Sequence, residues 1–336
     1  MSSPSRPTLA DVASLAGVAR STASMVINGV EHARVAEDTR ARVLAAVDQL
    51  GYRPNAAARG LRTQRTHLFG FVGDEIAASA YAGETITGAQ DVAWAADHLL
   101  LIANTGRDPD VQRAAIDAML DRQVDGLIIA AMSAREVDVE PLRLLSVPCV
   151  LLNCFGAQPL FPEIVPDDER GGFDAATLLL DAGHTRIAFI NGSADKHAAN
   201  ARERGFLAAH AQRGLTHDPV LRAHGNWWPD GGYEHTQRLL ALPDPPTAIF
   251  CANDRMAVGA YEALKELGLD VPGDVSVLGY DDMELAQHLR PALSTMALPH
   301  YEMGQWACRR LLLGAREHVR ELLPCPPKLR DSIRTL

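Results

Sequence analysis

Two sets of residues in this chain have the types and spacing to do chemistry. The first is Arg20, Ser21, Ser24, Met25 and Asn28, recurring at i, i+1, i+4, i+5 and i+8. On a helix these share one face, and Ala23, Val26 and Ile27 share the opposite one. A stripe of guanidinium, hydroxyl and amide groups backed by an apolar stripe suits a helix that hydrogen-bonds a polar surface while docked on a small core. The second set lies at the ends of short apolar runs: Gly73-Asp74, Asn104-Thr105, Asn153, Asn191, Asn253-Asp254 and Tyr280-Asp281-Asp282. Each alone is an ordinary cap or turn residue. Convergence of several on one mouth is more than capping requires and would form a polar ligand site.

Covalent catalysis has little foothold. No GxSxG, Walker loop or HExxH occurs, and the histidines are dispersed without ligand spacing. The five cysteines (Cys149, Cys154, Cys251, Cys308 and Cys325) are odd in number and form no CxxC pair, so they read as buried reduced thiols. No catalytic residue, metal or cofactor is expected. No apolar run approaches the ~18 residues that span a bilayer. The polar first eight residues lack the apolar core of a signal peptide. The expected location is cytoplasmic, with no membrane partner.

The first stripe needs helices to hold it. Thr8 before Leu9-Ala10-Asp11 reads as a capping box with Asp in place of Glu, and Val12, Ala13 and Ala16 give an apolar stripe that Gly17 stops. A second helix is expected over 20–28. A third is expected over 37–50, with acids in its first turn, apolar Val43, Leu44, Val47 and Leu50, and Gly51 at its end. Helix, tight glycine turn, helix is the arrangement whose second helix enters the DNA major groove, although a plain three-helix bundle fits the same pattern. Charge favours the former. Residues 1–65 carry nine Arg, no Lys and five acids, net +4, in a chain whose total is −10, so the rest carries −14. A basic head on an acidic body is expected if only the head meets a polyanion. Residues 54–63 start with Pro54 and are Ala-rich, yet too short for an isolated helix, so they read as a linker that becomes helical on docking.

The second set needs strands. Strand-like runs at 68–72, 99–103, 126–130, 147–152, 186–190, 247–251 and 275–279 alternate with helical stretches at 83–96, 110–122, 169–180, 201–213, 230–240 and 255–267. Such alternation implies parallel sheets covered on both faces. The number of strands suits two doubly wound subdomains better than one. Ligands of such sheets bind beyond the carboxyl ends of the strands, where the polar second set lies.

Specific motifs add to this. Thr8-Leu9-Ala10-Asp11-Val12-Ala13, Ala16-Gly17-Val18, Ser21-Thr22-Ala23-Ser24, Ile27-Asn28-Gly29, Thr39-Arg40 and Leu50-Gly51-Tyr52-Arg53-Pro54-Asn55 together resemble the head of the lactose/galactose-repressor family of transcription regulators. Arg202-Glu203-Arg204-Gly205-Phe206, Ala252-Asn253-Asp254-Arg255-Met256-Ala257-Val258-Gly259, Val275-Ser276-Val277-Leu278-Gly279-Tyr280-Asp281-Asp282 and Arg330-Asp331-Ser332 resemble that family's effector domain, itself similar to periplasmic sugar-binding proteins. The resemblance implies an α/β chain: an N-terminal helix-turn-helix head plus two doubly wound parallel-sheet subdomains, periplasmic-binding-protein-like, joined by three crossovers around a cleft. The head would span 1–65 with a hinge helix at 54–63. Residues 66–336 would bind effector and dimerise, with an N-lobe of about 66–165 and 293–322 and a C-lobe of about 166–292 and 323–336.

Site residues follow from the same resemblance. Thr8, Leu9, Arg20, Ser21, Thr22, Ser24, Met25, Asn28 and Thr39 would meet DNA. Asn55, Ala58 and Arg59 would line the minor groove, where Leu61 would wedge between base pairs at the operator centre. Arg202, Asn253 and Asp281 would hydrogen-bond effector hydroxyls from the C-lobe, Trp227 would form an apolar wall, and Asp74, Tyr81 and Asn153 would contribute from the N-lobe. An Arg, an Asp and an Asn supply the fixed donors and acceptors that vicinal hydroxyls need, and an aromatic face packs on a sugar's C–H surface. Three departures stand out. Ala19 replaces a helix-capping Ser, at a cost of ~1 kcal/mol. Met25 stands where Arg is common, and residues 29–34 are longer than in the lactose repressor.

The expected function is therefore that of a sequence-specific DNA-binding transcriptional regulator, a repressor. A homodimer would hold a pseudo-palindromic double-stranded operator, and a small-molecule effector, a sugar, would set its affinity. Pro324, Pro326 and Pro327 with no Leu heptads leave no coiled-coil tail, so a dimer is expected rather than a tetramer. Two alternatives compete: a cytoplasmic sugar-binding receptor, which the basic head opposes, and a sugar- or nucleoside-acting enzyme, which the missing motifs oppose.

Overall fold

The computed structural model describes residues 7–28, 35–53, 65–75 and 82–336. The expected hinge helix with Asn55, Ala58, Arg59 and Leu61 lies outside the described residues, as do residues 29–34 and Tyr81. The chain forms two compact units, Met1–Thr66 and His67–Leu336.

In the first unit, helices α1 (Leu9–Ala16), α2 (Arg20–Ile27) and α3 (Glu37–Leu50) enclose a core of Val12, Ala13, Ala16, Ala23, Val26, Val43 and Ala46. Gly17 and Gly51 end α1 and α3 in the left-handed region, at φ +64° and +60°, which glycine adopts without steric cost. One expectation is corrected. Leu44 is 47% exposed, and Ala46 is buried. At about 100° per residue, positions 43, 46, 47 and 50 form one face and position 44 falls outside it.

The second unit holds two six-stranded sheets. In chain order its strands are β1 (Leu68–Gly73), β2 (Leu99–Asn104), β3 (Gly126–Ala130), β4 (Glu136–Val137), β5 (Cys149–Leu152), β6 (Phe155–Gly156), β7 (Glu163–Pro166), β8 (Ile187–Asn191), β9 (Arg222–His224), β10 (Ala248–Cys251), β11 (Ser276–Asp281), β12 (Ser294–Ala297), β13 (Arg320–Leu323) and β14 (Pro327–Lys328). The first sheet runs β13-β7-β5-β3-β1-β2, all parallel. The second runs β14-β12-β11-β10-β8-β9, parallel except for the β12–β14 pair. The chain thus passes between sheets three times: after β7, after β12 and after β13. The N-lobe was expected to resume at 293. Instead β12 belongs to the second sheet, pairing Leu278 with Ser294 and Asp281 with Ala297, so the return to the first sheet comes after residue 297.

Helices cover both sheets. They are α4 (Ala82–Ala95), α5 (Pro109–Asp121), α6 (Asp168–Asp181), α7 (His197–Gln212), α8 (Pro229–Leu240), α9 (Asp254–Glu266) and α10 (His300–Leu312). Helix α4 packs on α10, α6 on α7, and α8 on α9. The α6–α7 contact explains two glycines: a Cβ at Gly172 would meet the Arg202 backbone, and one at Gly205 the Glu169 carbonyl. The two backbones therefore come close, and Asp168 on α6 reaches Arg202 on α7. In the core around the second sheet, Phe189 stacks on Phe206 and Phe250, each at 4.8 Å, which adds ~0.5–1.5 kcal/mol per pair beyond area burial. All five cysteines are buried free thiols, and burial pushes that of Cys154 up to about 12. Among the described residues, no helix is long and apolar enough to cross a membrane.

Candidate functional site

The first unit places the polar stripe on α2. Arg20, Ser21 and Asn28 are exposed, Ser24 and Met25 are half-buried, and Ala23 and Val26 are buried beneath them. The Asn28 amide caps the helix C-terminus by donating to the Ser24 carbonyl at 2.7 Å and to its Oγ at 3.2 Å. Thr8 closes the capping box. Its backbone N–H and its hydroxyl each donate to Asp11 Oδ2 at 2.8 Å, and these bonds hold the Asp11 carboxyl below its usual value. Ala19 offers α2 no side-chain cap. Thr22 and Thr39 are half-buried, and Leu9 packs against the head core.

In the second unit, a cavity of about 320 Å³ opens at the carboxyl ends of both sheets. Its lining includes Asn153, Arg202, Trp227, Asn253 and Asp281, so five of the expected effector residues share one space. Arg202 is its electrostatic centre, 3% exposed. Its Nε donates to Asp168 Oδ1 at 2.8 Å, its Nη1 donates to the Ala252 carbonyl, and Nη1 lies 3.9 Å from Asp281 Oδ1. The Tyr280 ring lies 3.6 Å from the guanidinium carbon. Burial opposes this charge, but Asp168, Tyr280 and Asp281 more than offset it and raise the pKa above the ordinary value.

The neighbours are held by the strand-to-helix turns. Asn253 caps α9, accepting from Met256 N–H at 2.9 Å, and donates to the Trp227 carbonyl at 3.1 Å. Trp227 adopts φ +70° and donates its indole N–H to Ser193 Oγ at 3.0 Å. Its ring fills the space where a Gly192 side chain would stand. Asn153, 5% exposed, follows β5 at φ +54° and donates to the Ala131 carbonyl at 3.0 Å, while its Oδ1 has no hydrogen-bond partner among the described residues.

Asp74 lies elsewhere. It lines a smaller adjoining cavity with Asn153 and His300, and its carboxylate accepts from the Glu75 and Met132 N–H groups and from Arg135. Tyr81 lies outside the described residues. Asp254 is a structural clamp, accepting from the Thr295 hydroxyl at 2.6 Å and Met283 N–H at 2.7 Å. Sequence reasoning missed Asp168, Lys196, Arg255 and His300. His300 is 5% exposed, and burial together with the Arg202 charge lowers its pKa to about 4, leaving it neutral.

Comparison with known proteins converges on this architecture. Residues 8–55 match the model of bacterial regulatory proteins, lacI family, and residues 176–333 match the periplasmic binding protein-like domain. The chain is 34% identical to the ribose operon repressor of Haemophilus influenzae over 336 residues, 98% of this chain and 99% of that protein. It is 33% identical to the HTH-type transcriptional repressor PurR of Vibrio vulnificus over 334 residues, with the same coverage. A lac repressor dimer bound to operator and the anti-inducer ONPF superposes with a TM-score of 0.83 at 28% identity, covering 98% of this chain and 100% of that one. The chain belongs to the LacI family of transcriptional regulators, with a periplasmic-binding-protein-like effector domain. It is a DNA-binding, effector-regulated repressor rather than an enzyme.

Proposed function

We propose that the effector is a sugar, bound in the cavity by Asn153, Arg202, Asn253 and Asp281 against Trp227. Asn153 carries this reading. A buried amide oxygen with no partner costs about 1–3 kcal/mol, and a ligand hydroxyl sharing the cavity would recover it. The Arg202–Asp281 pair offers a donor beside an acceptor, as adjacent hydroxyls require. The likeness to a transcriptional regulator solved as a CelR–cellobiose complex, 31% identical over 97% of this chain with a TM-score of 0.67, supports the same ligand class.

A homodimer would present two α2 stripes to the half-sites of a pseudo-palindrome, with Thr8, Thr22 and Thr39 at the backbone and Met25 against a base edge. Asn55, Ala58 and Arg59 would line the minor groove and Leu61 would wedge into the central step, kinking the duplex. Differential contacts of the sugar with the lobe arrangements would then shift operator affinity. The test is an operator gel shift with a panel of sugars and purine bases. A sugar that changes the shift supports the reading; a purine base acting where no sugar does overturns it.

A further inference from the structure

We infer that the effector is an acidic sugar, carrying a phosphate or carboxylate, and that Arg255 receives the anionic group; this rests on the sugar reading above. The cavity's charges sort into pairs with a remainder. Arg107 is matched by Glu75 at 2.8 Å and Asp74 at 3.8 Å. Arg202 is matched by Asp168 and Asp281. Those pairs account for Glu75, Asp168 and Asp281, all the carboxylates lining the cavity among the described residues. Lys196 lies 3.0 Å from its own neighbour, Asp195. Arg255 has no ion-pair partner among the described residues. The undescribed stretch 76–81, Ile-Ala-Ala-Ser-Ala-Tyr, carries no charged residue that could neutralise it.

Arg255 is instead placed by an aromatic face. Its guanidinium carbon lies 4.8 Å from the Trp228 ring centroid, on a wall that also includes Lys196 and Asn226. The adjacent Asp254 makes no ion pair with Arg255; its carboxyl is buried and turned instead to the Thr295 hydroxyl and the Met283 N–H. Stacking restrains a guanidinium without consuming its N–H groups. Such a fork matches the planar, two-oxygen edge of a carboxylate or phosphate, whereas a neutral hydroxyl engages it at one point and leaves its charge unmatched. Asn153, on the same cavity, independently marks where a ligand hydroxyl is wanted.

The test is calorimetric titration of the full chain with matched sets: neutral monosaccharides, their 6-phosphates, their uronic acids, and inorganic phosphate alone. At least one acidic sugar should bind about tenfold or more tighter than its neutral parent, in line with hydrogen bonds to charged groups. Whether phosphate or uronate wins identifies the anion. Arg255→Met should erase the margin, so that both forms bind alike, and Arg255→Lys should keep part of it. Asp281→Asn should weaken both forms. Neutral sugars binding as tightly as their acidic forms, or a margin that survives Arg255→Met, would overturn the inference while the sugar reading stands. Inorganic phosphate binding as tightly as the sugar phosphate would overturn it too, because the sugar would contribute nothing. If no sugar of either kind binds, both readings fail.

Discussion

Asp168 and Asp281 flank one guanidinium, and their distances predict opposite phenotypes. Asp168 accepts from Arg202 Nε at 2.8 Å with both side chains at most 4% exposed, so it is a direct buried partner. Asp168→Asn removes the nearer of the two charges that compensate Arg202. Breaking a buried pair costs about 3–5 kcal/mol. For a unit of this size that is roughly 6–20 °C in melting temperature, at roughly 2–4 °C per kcal/mol. Asp281 stands 3.9 Å away, beyond hydrogen-bond reach, and contributes less to holding Arg202. Its charge also repels Asp254, whose carboxyl burial and then Asp281 push well above its ordinary value, so neutralising Asp281 relieves a strain. Asn keeps the size and shape of the Asp that occupies this position at φ +119°. Asp281→Asn should therefore change stability by about 1 kcal/mol or less and weaken sugar binding by about 1–3 kcal/mol, or ~5–150-fold. Thermal melts without ligand and calorimetry with the bound sugar separate the two. Equal losses of melting temperature, or an unchanged sugar affinity in Asp281→Asn, would refute this division of roles.

Other perturbations follow. His300 has a folded pKa of about 4 against an ordinary 6.5, so below pH 6.5 the unfolded chain takes up a proton that the folded chain refuses. Stability should fall by roughly 2–4 kcal/mol between about pH 6.5 and 4 from this group alone. His184, His210 and His217, also lowered by burial, act with the same sign. Urea midpoints should drop on acidification, and by less in His300→Gln. Ala19→Ser should give α2 a side-chain cap and raise the head's stability by ~1 kcal/mol, read from the head's own melting transition. Met25→Arg should move base preference toward guanine at one pair per half-site in DNA selected from random sequence; identical selected sites would show that Met25 reads no base. Leu61→Ala should weaken specific operator binding more than non-specific binding, and equal losses would rule out the wedge.

How far the sequence foretold this structure depends on whether a feature is local. The helix-turn-helix reads directly because its capping box, glycine stops and apolar stripes lie within short windows. Seven body strands read equally well from short apolar runs with polar ends. Strand β7 did not, because Glu-Ile-Val-Pro carries an acid and a proline that disfavour a buried strand. Glu163 is tolerated at 1% exposure because Arg320, on the parallel neighbour β13, pairs with it. A partner so distant in sequence leaves no local signal. The same holds for β12, whose lobe is set by its register with β11. In the cavity, Asn153, Asn253 and Asp281 read from their places at strand ends, and Arg202 only through family resemblance. Asp168 looks like any first-turn acid and His300 like an isolated histidine, and only the packing of α6, α7 and α10 gives them meaning.

The most direct test of the account is operator binding by the full chain, measured on DNA selected from random sequence with and without a panel of sugars, at 50 and 200 mM salt. A dimer whose heads neutralise ~6–10 phosphates should lose ~10³–10⁵-fold in affinity between those salts despite the overall charge of −10, and one sugar should shift the operator affinity at fixed salt. Weak salt dependence with no selected site, or a selected site whose binding no small molecule alters, would contradict it.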